Sequence, residues 1–276
     1  MQIHNAIKSM PLYVDVERIY KELTELGIGD DEELTPAQLF PFDQYHYHGT
    51  DAVHAAAQLL GLGPASRVLD VGSGLGGPAR YLAGTTGCHV TALELQGDLH
   101  AVAANLTARC GLGQHITHVC GDALACTIPE ANFDAVVSWL ALLHIPERPC
   151  LLERLARTLR RGGRLYIEDL YRRAPFAQSN MNDVRHTLYG VTLTSIADYV
   201  RDLQEAGFTG IAATDLSDDW EAFCGARLAS WRADRNRHVR VHGEQIYAGL
   251  DLFYSVVSRL FASGSLGGVR VVARVE

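Results

Sequence analysis

A glycine-rich stretch in the first third of the chain combines residue types that could hold a nucleotide-like ligand. Residues 68–83 read VLDVGSGLGGPARYLA, a short aliphatic run followed by four glycines and Pro78. The aliphatic run predicts a buried strand, the glycines allow a sharp turn close to a ligand, and Pro78 suits the first turn of a helix. Strand, turn and helix together predict a nucleotide-type pocket at the carboxyl end of a parallel strand.

An acid before the glycine turn distinguishes between two possible ligands. Gly72, Gly74 and Gly77 also satisfy the dinucleotide pattern G-x-G-x-x-G, with Glu94 about twenty residues further on, so spacing alone does not choose the ligand. Asp70 would repel a pyrophosphate, whereas its charge suits the sulfonium and ammonium groups of S-adenosylmethionine. A nicotinamide dehydrogenase is therefore the less favoured interpretation.

The D-x-G-x-G spacing and the acid after the next strand resemble those of class I S-adenosylmethionine-dependent methyltransferases. Residues 46–50 (HYHGT), 68–80 and 159–171 further resemble the sarcosine/dimethylglycine N-methyltransferases and the related phosphoethanolamine methyltransferases. The resemblance implies an α/β fold with a Rossmann-like, doubly wound, seven-stranded sheet and helices on both faces. It also implies S-adenosylmethionine as cofactor and the nitrogen of a small amine or amino acid as methyl acceptor.

Residues at the ends of the predicted strands are expected to bind the donor. Glu94 could accept hydrogen bonds from both ribose hydroxyls, and Asp122 from the adenine amine, although an exposed Glu and a turn Asp are the competing interpretations. The other expected donor contacts are His46, Tyr47, Asp70, Gly72, Ser73, Gly74, Gly76, Leu95, Gln96, Gly121, Ala123 and Trp139. The donor site is thus expected along one edge of the sheet.

Catalysis is expected to depend on alignment, because methyl transfer is an in-line displacement by an acceptor lone pair. We assign Tyr45, Tyr47 and His144 to positioning or proton removal, since the ordinary pKa of histidine lies near neutrality. A histidine packed in the core is the alternative interpretation of His144.

The acceptor is expected to contact five residues that follow the fourth and fifth predicted strands: Leu140, His144, Glu168, Tyr171 and Arg172. In the phosphoethanolamine enzymes that the chain resembles, an acid stands at Leu140 or its neighbour. A cationic acceptor is therefore expected to be met by Glu168, Asp169 or aromatic faces, and a carboxylate by Arg172 or Arg173.

Two other functions fit parts of the pattern. The apolar surroundings of Leu140 suit methylation of an oxygen, sulfur or carbon centre in a natural-product-like molecule. Added helices at residues 220–262 could instead bind a partner in a non-catalytic protein, although Asp70, Glu94 and Asp122 together argue against that interpretation.

The length, composition and net charge of the chain limit the kinds of protein that it could be. The chain has 276 residues, 47% hydrophobic and 20% charged, which predicts one folded core with insertions. Its net charge of -8 disfavours nucleic acid as a partner, and no apolar run approaches the roughly eighteen residues of a membrane span. We therefore expect a cytoplasmic monomer or homodimer that acts on a small molecule without contacting a membrane.

The six cysteines do not predict a disulfide framework or a metal site. Their spacing is irregular, without a C-x-x-C pair, and reduced thiols are expected. Cys110, His115, His118 and Cys120 lie close in sequence, but two of them alternate along a predicted strand. No bound metal is therefore predicted.

The spacing of apolar residues predicts the helices and strands that position these site residues. We expect an N-terminal helical cap and active-site flap at residues 1–60, and the methyltransferase core at 61–276 with a lid at 170–194 and a helical insertion at 217–263. Apolar spacing predicts helices at 13–26, 51–60, 96–110, 146–160, 195–206, 220–241 and 244–262. Strands are predicted at 67–71, 88–93, 116–120, 133–139, 164–167, 210–216 and 269–275.

Overall fold

A seven-stranded sheet forms the centre of the computed structural model, which describes residue 10 and residues 12–276. The strands are β1 (Arg67–Val71), β2 (His89–Glu94), β3 (Ile116–Cys120), β4 (Phe133–Trp139), β5 (Leu159–Arg172), β6 (Thr209–Asp215) and β7 (Leu266–Arg274). They lie in the order β3-β2-β1-β4-β5-β7-β6, and β7 runs antiparallel to both of its neighbours. The order reverses between β1 and β4, so the fold predicts a ligand site outside their carboxyl ends.

Eleven α-helices surround the sheet in the described part of the chain. They are α1 (Arg18–Glu25), α2 (Pro36–Asp43), α3 (Gly49–Leu60), α4 (Gly77–Thr86), α5 (Gly97–Arg109), α6 (Arg148–Thr158), α7 (Gln178–His186), α8 (Ile196–Glu205), α9 (Ser217–Ala233), α10 (Arg235–His242) and α11 (Glu244–Ala262). A 3-10 turn covers Leu142–His144. None of these helices combines the length and apolarity that crossing a membrane would require.

Helices cover both faces of the sheet, which confirms the predicted doubly wound α/β architecture. Alanines of α3 and α4, such as Ala56 and Ala79, pack with Val68 of β1 on one face. On the other face, Leu155 of α6 and Tyr199 of α8 pack with alternate residues of the same strands. Because both faces are buried, the central strands are continuous apolar runs rather than alternating ones.

The N-terminal segment and the helical insertion pack together at the carboxyl end of the sheet. Met10 and Leu12 join Leu250 and Phe253 of α11 in one buried cluster. The two guanidinium nitrogens of Arg240 on α10 donate to the Glu25 carboxylate at 2.6 and 2.7 Å. Residues 1–9 and 11 of the predicted cap lie outside the described residues.

Three predicted boundaries were wrong for reasons that tertiary contacts explain. The first helix begins at Arg18 rather than 13, because the preceding residues form turns and Asp15 binds Lys21 at 2.6 Å. The helix predicted at 146–160 ends at Thr158, and residues 162–163 belong to β5, where backbone hydrogen bonds tie them to Val275. The helix predicted at 220–241 is two helices, divided at Asp234.

The predicted lid contains more regular structure than its sequence indicates. Residues 170–172 continue β5, whose long pairing with β7 carries the strand beyond the predicted end at 167. Residues Gln178–His186 form α7, and Arg259 of α11 donates to Asp183 at 2.7 Å. Closure of this segment over the site stays a prediction.

Candidate active site

A cavity of about 610 Å³ lies at the carboxyl ends of β1, β2, β3 and β4, where the strand order predicts a ligand site. All but four of the predicted site residues line it: Tyr45, His46, Tyr47, Asp70, Gly72, Ser73, Gly74, Glu94, Leu95, Gln96, Gly121, Asp122, Ala123, Trp139, Leu140 and His144. The cavity is thus shaped by the glycine loop, the flap and the segments after the strands.

The glycine loop turns sharply under the cavity and is fixed to the neighbouring strand. Gly72 has φ of +74°, and a Cβ at this position would lie 2.3 Å from the Cβ of Ala141. The amides of Gly72 and Ser73 both donate to the Leu93 carbonyl, at 2.9 and 3.1 Å. Only glycine allows this close approach, so the loop conformation depends on the residue type that the sequence supplies.

Asp70 and Glu94 place two buried carboxylates at the floor of the cavity. The Oε1 of Glu94 accepts from the Gln96 amide and its Oε2 from the Gly74 amide, both at 2.9 Å. The Oδ2 of Asp70 has no hydrogen-bond partner among the described residues. Burial, with a contribution from the Glu94 carboxylate, raises the pKa of Asp70 to about 8. This pair of acids would be stabilised by a cationic ligand.

The flap brings His46 and Tyr47 to the cavity through an unusual backbone turn. His48, which follows them, has φ of 56°, in the left-handed region, and the chain then enters α3. The Nε2 of His46 donates to the Gly49 carbonyl at 2.9 Å, and burial lowers the pKa of His46 to about 4. The imidazole is therefore neutral at pH 7 and lies beside Trp139, with ring centroids 5.5 Å apart.

His144 stands on the 3-10 turn that follows β4. Its Nδ1 lies 3.0 Å from the Tyr189 carbonyl, and a carbonyl only accepts, so Nδ1 carries the proton and Nε2 keeps its lone pair. Burial lowers the pKa of His144 to about 4, well below the near-neutral value expected from the sequence. Leu140 and Tyr189 both have φ of 51°, which shows that the backbone on either side is held in a strained conformation.

Two predicted contacts lie behind the cavity wall. Gly76 has φ of +75°, and a Cβ there would lie 3.0 Å from Arg80, so its place in the loop is structural. The carboxylate of Glu168 accepts from the Tyr166 hydroxyl at 2.6 Å and from Arg270 at 2.8 Å. Its charge is therefore balanced within the protein rather than offered to a ligand.

The other two predicted contacts point elsewhere because β5 continues through them. The Tyr171 hydroxyl donates to Asp215 at the end of β6, at 2.8 Å. Arg172 is exposed, and Arg173 pairs with Asp218. The predicted recognition of a carboxylate by Arg172 or Arg173 therefore does not fit the position of the cavity.

Several lining residues were missed, and most of them come from parts of the chain that are distant from the glycine loop. They are mainly apolar: Met10, Leu12, Tyr13, Leu143, Leu170, Leu188 and Phe253. Arg227 of α9 is the only arginine or lysine of the described residues that lines the cavity. It donates to the His46 carbonyl at 3.0 Å and lies over the Phe223 ring at 4.6 Å. No local motif marks these residues as part of a site.

Comparison with known proteins agrees with this geometry. Residues 69–167 match the family described as a methyltransferase domain. The chain is 28% identical over 199 residues to a phosphoethanolamine N-methyltransferase of Triticum aestivum, covering 72% of this chain and 39% of that protein. It is 29% identical over 196 residues to a glycine/sarcosine/dimethylglycine N-methyltransferase of Actinopolyspora halophila, covering 71% of this chain and 35% of that protein. The chain thus matches well under half the length of these curated relatives.

The fold also matches that of a solved structure. Phosphoethanolamine N-methyltransferase 2 of Haemonchus contortus, in complex with phosphomonomethylethanolamine and S-adenosylhomocysteine, superposes with a TM-score of 0.84 at 18% identity. The superposition covers 99% of this chain and 60% of that one. Residues 69–167 thus match a methyltransferase domain, and the chain shares its fold with this solved methyltransferase.

Proposed function

We propose that this chain transfers the methyl group of S-adenosylmethionine to a small-molecule acceptor. The observation that carries the proposal is the Oδ2 of Asp70, which is buried beside the carboxylate of Glu94 and has no hydrogen-bond partner in the part of the chain that the structure describes. A donor with sulfonium and ammonium groups would compensate this negative charge, whereas the pyrophosphate of a dinucleotide would add to it. The same logic favours a methyl donor over a nicotinamide cofactor.

The other residues proposed to contact the donor lie at the carboxyl ends of the neighbouring strands. Glu94 is already oriented by two amides, so its outer lone pairs can accept from vicinal ribose hydroxyls. Asp122 follows β3, where the Leu124 amide donates to its Oδ1 at 2.8 Å and fixes the carboxylate. Trp139 and His46 would form the wall between the donor and the acceptor.

The part of the cavity around Leu140 is mainly apolar, and His144 and Arg227 are among its polar lining residues. Arg227 donates to the His46 carbonyl and forms no ion pair with a carboxylate of the described residues, so it would favour an acceptor that carries an anionic group. Phosphoethanolamine and sarcosine, named for the relatives, each combine an amine with such a group. N-methylation of a small amine with a carboxylate or phosphate is therefore the leading form of the proposal.

In this reaction, the lone pair of the neutral amine forms the new N–C bond while the C–S bond of the donor breaks. S-adenosylhomocysteine leaves as a neutral thioether, and the methylated ammonium then releases a proton. The Nε2 lone pair of His144 could accept a hydrogen bond from the acceptor and align it. Alignment in a water-poor cavity would supply most of the rate enhancement.

Methylation of a carbon or oxygen centre in an apolar acceptor is the second candidate. The observation that favours it is the apolar lining around Leu140, together with the pairing of Glu168 by Arg270 rather than by a ligand. A cytoplasmic location and a monomeric or homodimeric state stay predictions.

Methyl transfer from isotopically labelled S-adenosylmethionine tests the two candidates. The acceptor panel would contain amino acids, phosphoethanolamine, their amide or alcohol analogues, phenols and isoprenoid alcohols, with products identified by mass spectrometry. Labelled N-methyl products support the first candidate. Label found only in carbon-methylated or oxygen-methylated products supports the second, and donor binding without transfer to any member would contradict the amine assignment.

Replacing His144 by alanine should lower kcat by about 10²-fold, the typical cost of misplacing an acceptor by roughly 1 Å. The affinity for S-adenosylmethionine should not change, because the Nε2 of His144 is assigned to the acceptor. His54→Ala on the exposed side of α3 is the matched control. Steady-state kinetics with unchanged kcat in the His144 variant would remove this residue from catalysis.

Replacing Arg227 by methionine should raise the KM for an anionic acceptor by about 10- to 100-fold, the loss of one charge-assisted interaction. The KM for a matched neutral analogue should change little, and Arg227→Lys should restore part of the selectivity. Arg232→Met on the same helix, where Arg232 pairs with Asp251, is the control. Equal losses for both acceptors would show that Arg227 only supports the fold.

A further inference from the structure

Three side chains that could bind a metal come together from opposite ends of the chain. Glu22 lies on α1, and His238 and His242 lie one helical turn apart on α10. One potential ligand atom of each residue lies within 4.8 Å of the other two. All three line a second cavity of about 540 Å³, which shares Leu12 and other residues with the active-site cavity.

The hydrogen bonds of this cluster leave ligand capacity unused. The Oε1 of Glu22 lies 2.7 Å from Nε2 of His242 and accepts from Nη1 of Arg237 at 3.3 Å, while Oε2 accepts from Nη2 of Arg237. The Nδ1 atoms of His238 and His242 are buried and have no hydrogen-bond partner among the described residues. His238 is held in place by stacking on Trp231, with ring centroids 3.8 Å apart. The cluster is therefore ordered without being fully satisfied.

We propose that Glu22, His238 and His242 form a binding site for a divalent transition-metal ion, with Zn²⁺ as the best-suited ion. Histidines at i and i+4 project from one face of a helix, and the carboxylate on the facing helix supplies the third ligand. Two nitrogen donors and one oxygen donor suit Zn²⁺ better than Mg²⁺ or Ca²⁺, which prefer oxygen.

Arg237 is compatible with this assignment. A metal would replace the hydrogen bond between Oε1 of Glu22 and His242, while Arg237 would keep its contact with Oε2 and orient the carboxylate. Outer partners of this kind are common around metal ligands. Three protein ligands would leave one coordination position for water or a ligand from the second cavity.

The position of the site indicates what the metal would do. Glu22 belongs to α1, and the segment just before it contributes Leu12 and Tyr13 to the active-site cavity. A metal held between α1 and α10 would fasten that segment to the helical insertion. Because the three ligands are brought together only by folding, bound Zn²⁺ would stabilise the folded state. The proposal is independent of methyl transfer.

Metal titration of the full chain tests the site. After treatment with a chelator and its removal, the protein would be titrated with Zn²⁺ in competition with a chromophoric chelator, and separately with Co²⁺. We expect one equivalent of tight binding, a visible absorption typical of low-coordinate Co²⁺, and a higher melting temperature with Zn²⁺. Absence of stoichiometric Zn²⁺ binding would overturn the proposal.

Variants locate the bound ion. His238→Ala leaves the contacts of Glu22 with His242 and Arg237 intact, so the variant should fold, as circular dichroism would verify. This variant should bind Zn²⁺ about tenfold more weakly or worse. Mutating a residue that only contacts a metal ligand already lowers metal affinity by this factor, and His238 is itself a proposed ligand. His115→Ala, which alters the separate stacked pair of His89 and His115, is the control. Unchanged binding in His238→Ala, or loss only in His115→Ala, would place the ion elsewhere and contradict the assignment.

Discussion

Replacing Asp70 by asparagine should weaken the binding of S-adenosylmethionine by about 10- to 100-fold at pH 8, because the variant loses a charged partner of the cationic donor. The amide is nearly isosteric with the carboxylate and is uncharged, so the buried strand should tolerate it. Asp51→Asn on the exposed first turn of α3 is the matched control. Isothermal titration calorimetry measures both affinities.

The pH dependence of S-adenosylmethionine binding distinguishes the effect of the Asp70 charge from the effect of the side chain's shape. The pKa of Asp70 is about 8 in the free protein, and a bound cation would favour the ionised carboxylate, so binding below pH 8 releases a proton. The affinity should therefore rise as the pH increases from 6 to 8, by up to about tenfold per unit, and level off above 8. Asp70→Asn should flatten this slope. A wild-type affinity that does not vary with pH, or a slope retained in the variant, would contradict the role of Asp70.

Replacing Arg80 by leucine should lower the free energy of unfolding by about 3–5 kcal/mol, the typical cost of removing one partner of a buried ion pair. Arg80 and Asp43 are fully buried, and an Arg80 nitrogen donates to Asp43 at 2.8 Å. The same guanidinium donates to the Leu75 carbonyl at 2.6 Å. The variant would leave the buried Asp43 carboxylate with only the Gln44 amide as a partner, and the Leu75 carbonyl without this donor. Chemical denaturation measures the loss.

Two further variants test whether the burial of this ion pair determines its importance. Arg201→Leu removes an exposed partner of Asp198 and should change the free energy of unfolding by no more than about 1 kcal/mol. Asp43→Leu combined with Arg80→Leu should recover much of the stability, because no unpaired buried charge remains. An Arg80 variant as stable as the Arg201 variant would show that solvent reaches the pair.

The part of the cavity proposed for the donor could be predicted from sequence because its signals are local. The strand, glycine turn and helix at residues 68–83 lie within one short segment, and each residue type has a direct backbone consequence. Asp70 precedes the turn, and Glu94 ends the next strand. The carboxyl ends of adjacent parallel strands meet at one edge, so these residues had to converge once the fold class was correct.

Much of the part of the cavity proposed for the acceptor could not be predicted, because it is assembled by packing between distant segments. Arg227 reaches the cavity from α9 only after the insertion folds over the N-terminal segment, and no periodicity marks that contact. Glu168 and Arg172 were misplaced because pairing with β7 extends β5 to residue 172. The low pKa of His144 likewise results from burial, which residue type alone does not reveal.

Calorimetric titration of the full chain with S-adenosylmethionine at pH 8, beside a matched titration with NADH, tests the central claim most directly. One equivalent of S-adenosylmethionine should bind, S-adenosylhomocysteine should compete for the same site, and NADH should produce no saturable heat. Binding of NADH without binding of S-adenosylmethionine would contradict the assignment of Asp70 and Glu94 to a cationic methyl donor.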